Sequence, residues 1–292
     1  MHEESVTIPS AGLCLSGIVR VPDGIKAGER RAAFLVLHGF GSNKNSSNVL
    51  APCKVLGDLG YVTLRFDMRG CGASEGEHGR VICLEQVEDT RSCVAFMAEH
   101  PAVDPQQIAL VGSSFGGAVS VYAGGIDARV AAVISNGGWG DGERKFRGQH
   151  KSPQEWARFT NMLQEGRAHR ARTGKSLMVP RYDIVPIPPH LRANLARDSI
   201  EMFPAETAQS MFDFRADDVV GKIAPRPLLL IHAANDSVTP TEQSIELFKR
   251  AGEPSELHLF SDVDHFLFAE DSERVWGVLR AWLQNYFPAG AT

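Results

Sequence analysis

A Gly-x-Ser-x-Gly pentapeptide centred on Ser114 is the first pattern in this chain that could do chemistry. It directly follows an apolar stretch typical of a buried strand and opens a helix-like stretch, so it predicts a serine hydroxyl held on a sharp, strained turn. Glycines at positions 112 and 116 would let neighbouring backbone approach where a Cβ atom would block it. Ser113 lacks glycines at the matching positions. We therefore predict that Ser114 is a nucleophile, rather than only the N-cap of the following helix.

The base that activates this serine is expected to be a histidine, because histidine titrates near neutral pH. Of the ten histidines, His265 alone follows the last predicted strand and precedes the last predicted helix. That position lies at the carboxyl edge of the sheet, the same edge as Ser114. His232 and His258 fall within predicted strands and are interpreted as packed, and His38 ends a strand and shapes the loop after it.

The acid that orients the histidine should follow an earlier strand and precede the histidine in the chain. Asp236 lies just after a predicted strand at 227–232 and meets both conditions. Its carboxylate would accept the imidazole Nδ1–H and stabilise the protonated ring. Asp141, Asp262 and Asp264 are alternative acids, and Asp236 could instead cap the next helix. The chain order Ser–Asp–His favours Asp236.

A tetrahedral intermediate of acyl transfer needs hydrogen-bond donors aimed at its oxygen atom. The N–H of Phe115, next to the nucleophile, is one candidate. The sequence His-Gly-Phe-Gly-Ser at 38–42 follows the first core strand, and its glycines would let the backbone turn the N–H of Phe40 inward. We predict an oxyanion hole formed by the N–H groups of Phe40 and Phe115; the alternative is that 38–42 is a plain turn.

The elements that must position these residues alternate along the chain. Continuous apolar runs such as 32–37 are typical of strands buried on both faces of a parallel sheet. Strands are predicted at 5–8, 13–21, 32–37, 61–66, 107–111, 130–134, 227–232 and 256–260, and helices at 49–59, 84–99, 117–123, 241–251 and 272–286. This alternation predicts βαβ units and an α/β fold, with a mostly parallel central sheet flanked by helices.

The alternation stops at residues 139–218, which are polar, rich in arginine and proline, and contain no clear buried strand. We predict an inserted, mainly helical cap there, with helices at 153–165 and 189–201. The core would then have two parts, 1–138 and 219–292.

The aromatic residues of this cap could line an apolar substrate pocket. We take Trp139 and Tyr182 as candidate substrate contacts. For each of them, packing of the cap onto the core is the alternative interpretation.

Four landmarks in this order together resemble the α/β-hydrolase superfamily: the His-Gly-Phe-Gly-Ser loop at 38–42, the Asp-x-Arg-Gly-x-Gly-x-Ser turn at 67–74, the pentapeptide at Ser114, and the two loops that carry Asp236 and His265. The stretch 217–229 is similar to dienelactone hydrolases, feruloyl esterases and prolyl oligopeptidases. The resemblance implies an α/β-hydrolase fold and a Ser114–His265–Asp236 triad, with Arg69 in a structural ion pair. It covers nearly all of the chain except about 139–218.

Composition excludes several classes of function. The net charge is −5 with no compensating basic block, which argues against nucleic acid as a partner. Five cysteines without paired spacing predict neither a disulfide framework nor a zinc site. The first residues lack a signal-peptide pattern and no apolar run approaches about 18 residues, so we expect a cytoplasmic protein without a membrane span. No Gly-x-Gly-x-x-Gly opens the first βα unit, and we expect neither a cofactor nor a metal.

These observations predict a serine hydrolase that cleaves a small carboxylic ester. An acyltransferase, a thioesterase, a peptidase or a C–C bond hydrolase could use the same three side chains. Haloalkane dehalogenases and epoxide hydrolases are excluded, since they carry an aspartate nucleophile where this chain has Ser114. A non-catalytic ligand receptor built on a hydrolase fold is the alternative from another class, and a homodimer is left open.

Overall fold

An eight-stranded sheet forms the centre of the computed structural model, which describes residues 2–26, 28–270 and 272–290. The strands in chain order are β1 (His2–Ser10), β2 (Leu13–Val21), β3 (Arg31–Leu37), β4 (Val62–Phe66), β5 (Val103–Ser113), β6 (Val130–Asn136), β7 (Met178–Pro180), β8 (Met202–Pro204), β9 (Leu228–Ala233) and β10 (Ser255–Phe260). Within the large sheet the order is β1-β2-β4-β3-β5-β6-β9-β10. The short strands β7 and β8 pair separately, antiparallel to each other.

The pairing within the large sheet is parallel from β4 through to β10 and antiparallel only where β1 meets β2 and β2 meets β4. The central strands β3, β4 and β9 are buried along almost their whole length, as their continuous apolar runs require. The predicted mostly parallel α/β sheet is confirmed. Because parallel strands end at the same edge, the loops after β3, β5, β9 and β10 meet there.

Helices cover both faces of this sheet. In chain order they are α1 (Ser47–Asp58), α2 (Cys83–Ala98), α3 (Phe115–Ile126), α4 (Gly142–Gln149), α5 (Pro153–Thr173), α6 (Arg181–Ile184), α7 (Ala205–Asp213), α8 (Glu242–Arg250) and α9 (Glu273–Tyr286). The apolar sides of α1 and α9 pack on one face, and those of α2, α3 and α8 pack on the other. Among the described residues, none of these helices is both long and apolar enough to span a bilayer.

The segment between β6 and β9, residues 137–227, is called the insertion below. It contains α4–α7, the strands β7 and β8, and three short 3₁₀ helices. Its buried apolar side chains belong to the same cluster as those of α2 and α3, so it packs directly on the core.

Two expectations about the insertion were wrong. No helix spans 189–201: a 3₁₀ helix covers only Pro189–Asn194. The rest is held by tertiary contacts, because Ile200 N–H donates to Gly41 O and Glu201 O accepts from Arg181 N–H. The strands β7 and β8 were also missed, since three residues ending in proline give no periodic signal.

Lys145 on α4 is an unusual feature of the contact between insertion and core. Its side chain is 1% exposed, and its Nζ lies 4.0 Å from the ring centre of Phe146 and 4.7 Å from that of Trp139. Nζ donates to Gln149 Oε1 at 3.0 Å. Burial lowers the pKa of Lys145 to about 7, because an ammonium group loses its hydration in an apolar site.

The lowered pKa predicts a pH-dependent stability that Lys145→Met removes. Above pH 7 the folded protein has lost this proton, whereas the unfolded chain keeps it up to about pH 10.4. The unfolded state then binds more protons, so the free energy of unfolding rises with pH by up to about 1.4 kcal/mol per unit. Urea unfolding at pH 7, 8 and 9 should show the difference between wild type and Lys145→Met growing in favour of wild type. The exposed Lys175→Met is the control and should show no such trend; a constant difference for Lys145→Met would contradict the prediction.

Candidate active site

The turn between β5 and α3 holds Ser114 in a backbone conformation that is rare for any residue other than glycine. Its φ is +55° and its ψ is −114°. A Cβ at Gly112 would lie 2.1 Å from Gly116 O, and a Cβ at Gly116 would lie 2.5 Å from Leu37 O and 2.6 Å from His38 O. Steric clashes therefore exclude any side chain at both glycines of the pentapeptide. The strain of the turn, about 1–3 kcal/mol, is held by this packing and by the 2.7 Å bond from Ser114 N–H to Asn136 O.

The structure brings the three side chains of the predicted triad together. His265 Nε2 lies 2.9 Å from Ser114 Oγ, and His265 Nδ1 lies 2.8 Å from Asp236 Oδ2. Ser114 lies on the turn after β5, Asp236 on the loop after β9, and His265 on the loop after β10. The side chains of Asp236 and His265 are almost fully buried, at 0% and 3% exposed.

Asp236 is held by more partners than the sequence predicted. Its Oδ1 accepts the N–H groups of Val238 and Thr239 at 2.8 and 2.7 Å, and its Oδ2 lies 3.2 Å from His232 Nε2 as well as near His265. Burial alone raises the pKa of this carboxyl group. The charge of His265 and the hydrogen bonds from His232 and His265 outweigh it and hold the pKa of Asp236 well below its ordinary value. Asp236 is therefore ionised at neutral pH.

His232 is the residue at this site whose role sequence analysis missed. It was expected to be packed within a strand, and its ring is 0% exposed in β9. Its Nε2 faces two acceptors, Asp236 Oδ2 and Thr239 O, while its Nδ1 lies 2.6 Å from the hydroxyl of Ser244. Because both partners of Nε2 are acceptors, Nε2 carries a hydrogen and donates to the carboxylate. The only hint of this contact in the sequence is that His232 lies four residues before Asp236.

The alternative acids all have other partners. Asp141 caps α4 by accepting Arg144 N–H at 2.8 Å, and Asp262 pairs with Arg274 at 2.7 Å. Asp264 accepts the N–H and the hydroxyl of Ser237. The turn at 67–74 also has a structural contact, the ion pair between Arg69 and Asp89 at 2.6 Å, as predicted.

The loop at residues 38–42, called the β3 loop below, is fixed by the histidine that precedes its first glycine. His38 Nε2 accepts Met68 N–H at 3.1 Å, so the hydrogen is on Nδ1, which donates to Gly39 O at 2.8 Å. In a trans peptide the C=O and N–H point in opposite directions, so the N–H of Phe40 points away from His38. Within the described ranges neither Phe40 N–H nor Phe115 N–H donates to another group.

A narrow cavity opens beside Ser114. The core supplies Phe40, Val238, His265 and Phe266 to its wall, and the insertion supplies apolar and polar residues that face them: Arg181, Val185, Ile187, Asn194 and Leu195. Most of the exposed area of this wall is apolar, although several serine and asparagine side chains of the core also line it. Such a wall suits a substrate that places an apolar group against the insertion and a polar carbonyl at the serine.

The structure does not bring Trp139 or Tyr182 to this cavity. Trp139 is 1% exposed, and its ring packs against Phe115 with centroids 5.7 Å apart, which is the packing alternative considered for it. Tyr182 lies under the guanidinium of Arg192, 3.9 Å from the ring centre. Composition showed an aromatic-rich segment but could not show which rings face the core. The described residues also contain no cluster of three His, Cys, Asp or Glu side chains suited to a metal ion.

A serine, a histidine and a carboxylate in this geometry, on the loops after parallel strands, are the arrangement of an α/β-hydrolase. The family model for serine aminopeptidase S33 hydrolases matches residues 28–272. The chain belongs to this family. The match includes Ser114, Asp236 and His265 and extends across the insertion.

Two relatives of this chain have names that state an activity. The chain is similar to polyketide transferase grgF of Penicillium sp, at 26% identity over 82% of each chain, and to thiohydrolase aneE of Aspergillus aculeatus, at 27% identity over 83% of each chain. Among solved structures it resembles the α/β hydrolase GrgF from Penicillium sp. sh18, with a TM-score of 0.79, 24% identity and 97% of each chain covered. This structural likeness shows the fold.

The close approach at Gly116 predicts a severe effect of Gly116→Ala. The added Cβ would collide with the carbonyl oxygens of Leu37 and His38, which cannot move without displacing β3. We expect the free energy of unfolding to fall by about 2–3 kcal/mol, measured by urea denaturation. Gly277→Ala on α9 is the matched control: a Cβ there meets nothing within 4 Å, so the substitution should stabilise by about 0.5–1 kcal/mol. Equal effects at the two glycines would be incompatible with this account of the turn.

Proposed function

We propose that this α/β-hydrolase cleaves a carboxylic ester through a covalent acyl-serine intermediate. The observation that carries the proposal is the pair of hydrogen bonds that join Ser114 Oγ to His265 Nε2 at 2.9 Å and His265 Nδ1 to Asp236 Oδ2 at 2.8 Å. A base within hydrogen-bond reach of the hydroxyl, itself oriented by a buried carboxylate, is what an activated serine needs.

In the first half-reaction Ser114 Oγ attacks the substrate carbonyl carbon while His265 Nε2 takes the hydroxyl proton. The carbonyl electron pair moves onto its oxygen, and ionised Asp236 stabilises the imidazolium. His265 then gives the proton to the leaving alkoxide as the old C–O bond breaks. A water molecule, deprotonated by the same histidine, attacks the carbonyl carbon of the acyl-serine. The C–Oγ bond then breaks, His265 returns the proton to Ser114 Oγ, and the acid is released.

The negative oxygen of the tetrahedral intermediate would lie against the N–H groups of Phe40 and Phe115. The opposed direction of the Gly39 carbonyl and the absence of another acceptor for either N–H in the described ranges support this assignment. Each donor of this kind contributes about 3 kcal/mol to transition-state stabilisation.

The insertion acts as a cap in this proposal and selects the substrate. Its residues Val185, Ile187 and Leu195 face Val238 and Phe266 of the core across the cavity. An apolar acyl or alcohol group fits this wall better than a cationic one, because a second cation beside the buried Arg181 would be costly. We therefore expect esters of short apolar acids as substrates.

Ser114→Ala tests the nucleophile. Without Oγ no acyl-enzyme can form, so hydrolysis of p-nitrophenyl acetate and butyrate should fall by more than about 10⁴-fold, while thermal unfolding stays close to wild type. A fluorophosphonate probe should label wild type on the peptide that contains Ser114, as read by mass spectrometry, and should not label the variant.

Ser120→Ala is the control for that variant. Ser120 lies in α3, is fully buried, and its hydroxyl has no hydrogen-bond partner in the described residues, so its loss should leave activity unchanged. Turnover retained by Ser114→Ala would refute the nucleophile. Probe labelling of wild type without turnover of any ester, thioester or amide would refute ester cleavage as the activity.

Acyl transfer to an alcohol or thiol is the second candidate. The names of the two relatives point to different reactions, a transfer for the polyketide transferase and a hydrolysis for the thiohydrolase. The apolar wall of the cavity also disfavours water beside the acyl-serine. Product analysis with a competing alcohol or thiol separates the two: transfer gives a new ester or thioester at the expense of the free acid.

His232→Phe tests how Asp236 is held. The substitution keeps a ring of similar size but removes the Nε2–H that faces Asp236 Oδ2. A hydrogen bond to a buried charged group contributes about 1.5–3 kcal/mol, so kcat should fall about 10–100-fold with little change in KM. His232→Gln restores a donor at nearly the same place and should recover most of kcat. If both variants lose activity equally, His232 fills space and does not position the carboxylate.

A further inference from the structure

Arg181 takes no part in the mechanism above, yet it contacts the β3 loop. Its Nη1 donates to Phe40 O and its Nη2 to Gly41 O, each at 2.9 Å, and its Nε donates to Ile200 O at 2.7 Å. Arg181 is the first residue of α6 in the insertion. A single side chain of the insertion therefore binds two consecutive carbonyl groups of the core loop that carries the Phe40 N–H.

The surroundings of this guanidinium hold it in place. Arg181 is 2% exposed, and the rings of Phe40 and Phe203 stack on each other beside it with centroids 4.2 Å apart. The guanidinium carbon lies 5.3 and 5.4 Å from the two ring centres. Gly41 has a φ of +53°, and a Cβ there would lie 2.4 Å from Phe203 and 2.8 Å from Arg181 Nη2. The loop, the guanidinium and the rings thus form one tightly packed unit.

Among the residues that the structure describes, no carboxylate forms a direct ion pair with Arg181, and Glu201 acts on its charge only through space. Within the described ranges its side-chain hydrogen bonds go to carbonyl oxygens and none goes to a carboxylate. Burial lowers the pKa of Arg181 to about 10, so the group remains cationic at neutral pH. A buried cation that lacks a direct ion pair is unfavourable in the resting protein, and it would favour negative charge that develops nearby.

We propose that Arg181 is a positioning residue for the oxyanion hole: from the insertion it fixes the carbonyl groups of Phe40 and Gly41, so that the Phe40 N–H stays aimed at the reacting carbonyl. Holding the Phe40 and Gly41 carbonyls toward the guanidinium restricts rotation of the loop on one side, while His38 restricts it on the other by binding Gly39 O. The inference rests on the acyl-serine chemistry proposed above. It makes the insertion part of transition-state stabilisation as well as of substrate selection.

Arg181→Lys and Arg181→Met test this proposal. Lysine keeps the charge but cannot bind both carbonyls with a planar fork, and methionine loses charge and donors. With p-nitrophenyl butyrate we expect kcat to fall about tenfold in Arg181→Lys and at least about 50-fold in Arg181→Met, with KM within threefold of wild type. A trifluoromethyl ketone forms an oxyanion on Ser114. Its affinity for each Arg181 variant should fall, relative to wild type, by about the same factor as kcat/KM falls.

Arg226→Met is the matched control. Arg226 also binds backbone carbonyls, with Nη1 on Asp127 O and Val130 O, but it lies where β6 begins, at the opposite edge of the sheet from Ser114. This variant should lose thermal stability and keep kcat and trifluoromethyl ketone affinity within twofold of wild type. If Arg181→Met does not fold, Arg181→Lys and its inhibitor affinity decide the question.

The outcomes separate this proposal from the proposed function. Three results would overturn the positioning role, even if Ser114→Ala is inactive. They are an unchanged kcat in Arg181→Lys, a change in KM alone, and equal kinetic losses in the Arg181 and Arg226 variants. Turnover by Ser114→Ala would overturn the acyl-serine chemistry itself. The positioning role would be supported if kcat/KM and inhibitor affinity fall by similar factors in the Arg181 variants and neither falls in Arg226→Met.

Discussion

The packing of the turn at Ser114 against the end of β3 is the contact on which the rest of the site depends. Gly116 lies so close to the carbonyl oxygens of Leu37 and His38 that no side chain fits between them. This approach is possible because β3 and β5 are neighbours in the sheet and parallel, so both strands end at the same edge. The same contact fixes Ser114 and the start of the β3 loop relative to each other, and the strained φ of Ser114 is tolerated because the surrounding backbone cannot yield.

The second constraint joins the insertion to this edge of the sheet. The β3 loop receives hydrogen bonds from the insertion at two successive carbonyls, and its Phe40 ring stacks on Phe203 of β8. The insertion is therefore not a separate layer above a finished site. The residues after its 3₁₀ helix do not continue as a helix up to Ile200, and Ile200 N–H donates to Gly41 O instead. In the proposed function, substrate selection and the geometry of the reacting groups would be coupled through the same backbone atoms.

Much of this architecture could be predicted from sequence because it depends on local pattern. The span of β2 was predicted to the residue, and the loops carrying Asp236 and His265 were placed from strand order alone. β5 is longer than predicted and begins at Val103, since the polar residues at its start hide the apolar pattern. What the sequence could not give are contacts between distant residues that have no periodic signature. Arg181 binds a loop that lies 140 residues away in the sequence. In the sequence His232 cannot be distinguished from other buried side chains of a strand, and only the structure shows its contact with Asp236.

The charges around Ser114 explain why these distant contacts bear on the chemistry. Ionised Asp236 accepts hydrogen bonds from His265 and His232. The cationic guanidinium of Arg181 lines the same cavity as Ser114 and binds the carbonyl groups of Phe40 and Gly41 in the β3 loop. In the proposed mechanism, positive charge would form on the imidazole next to the carboxylate as the serine attacks, and negative charge would form on the substrate oxygen next to the β3 loop. In that mechanism both charges would appear near groups of opposite sign that the fold has already placed, so little reorganisation would remain to be done during the reaction.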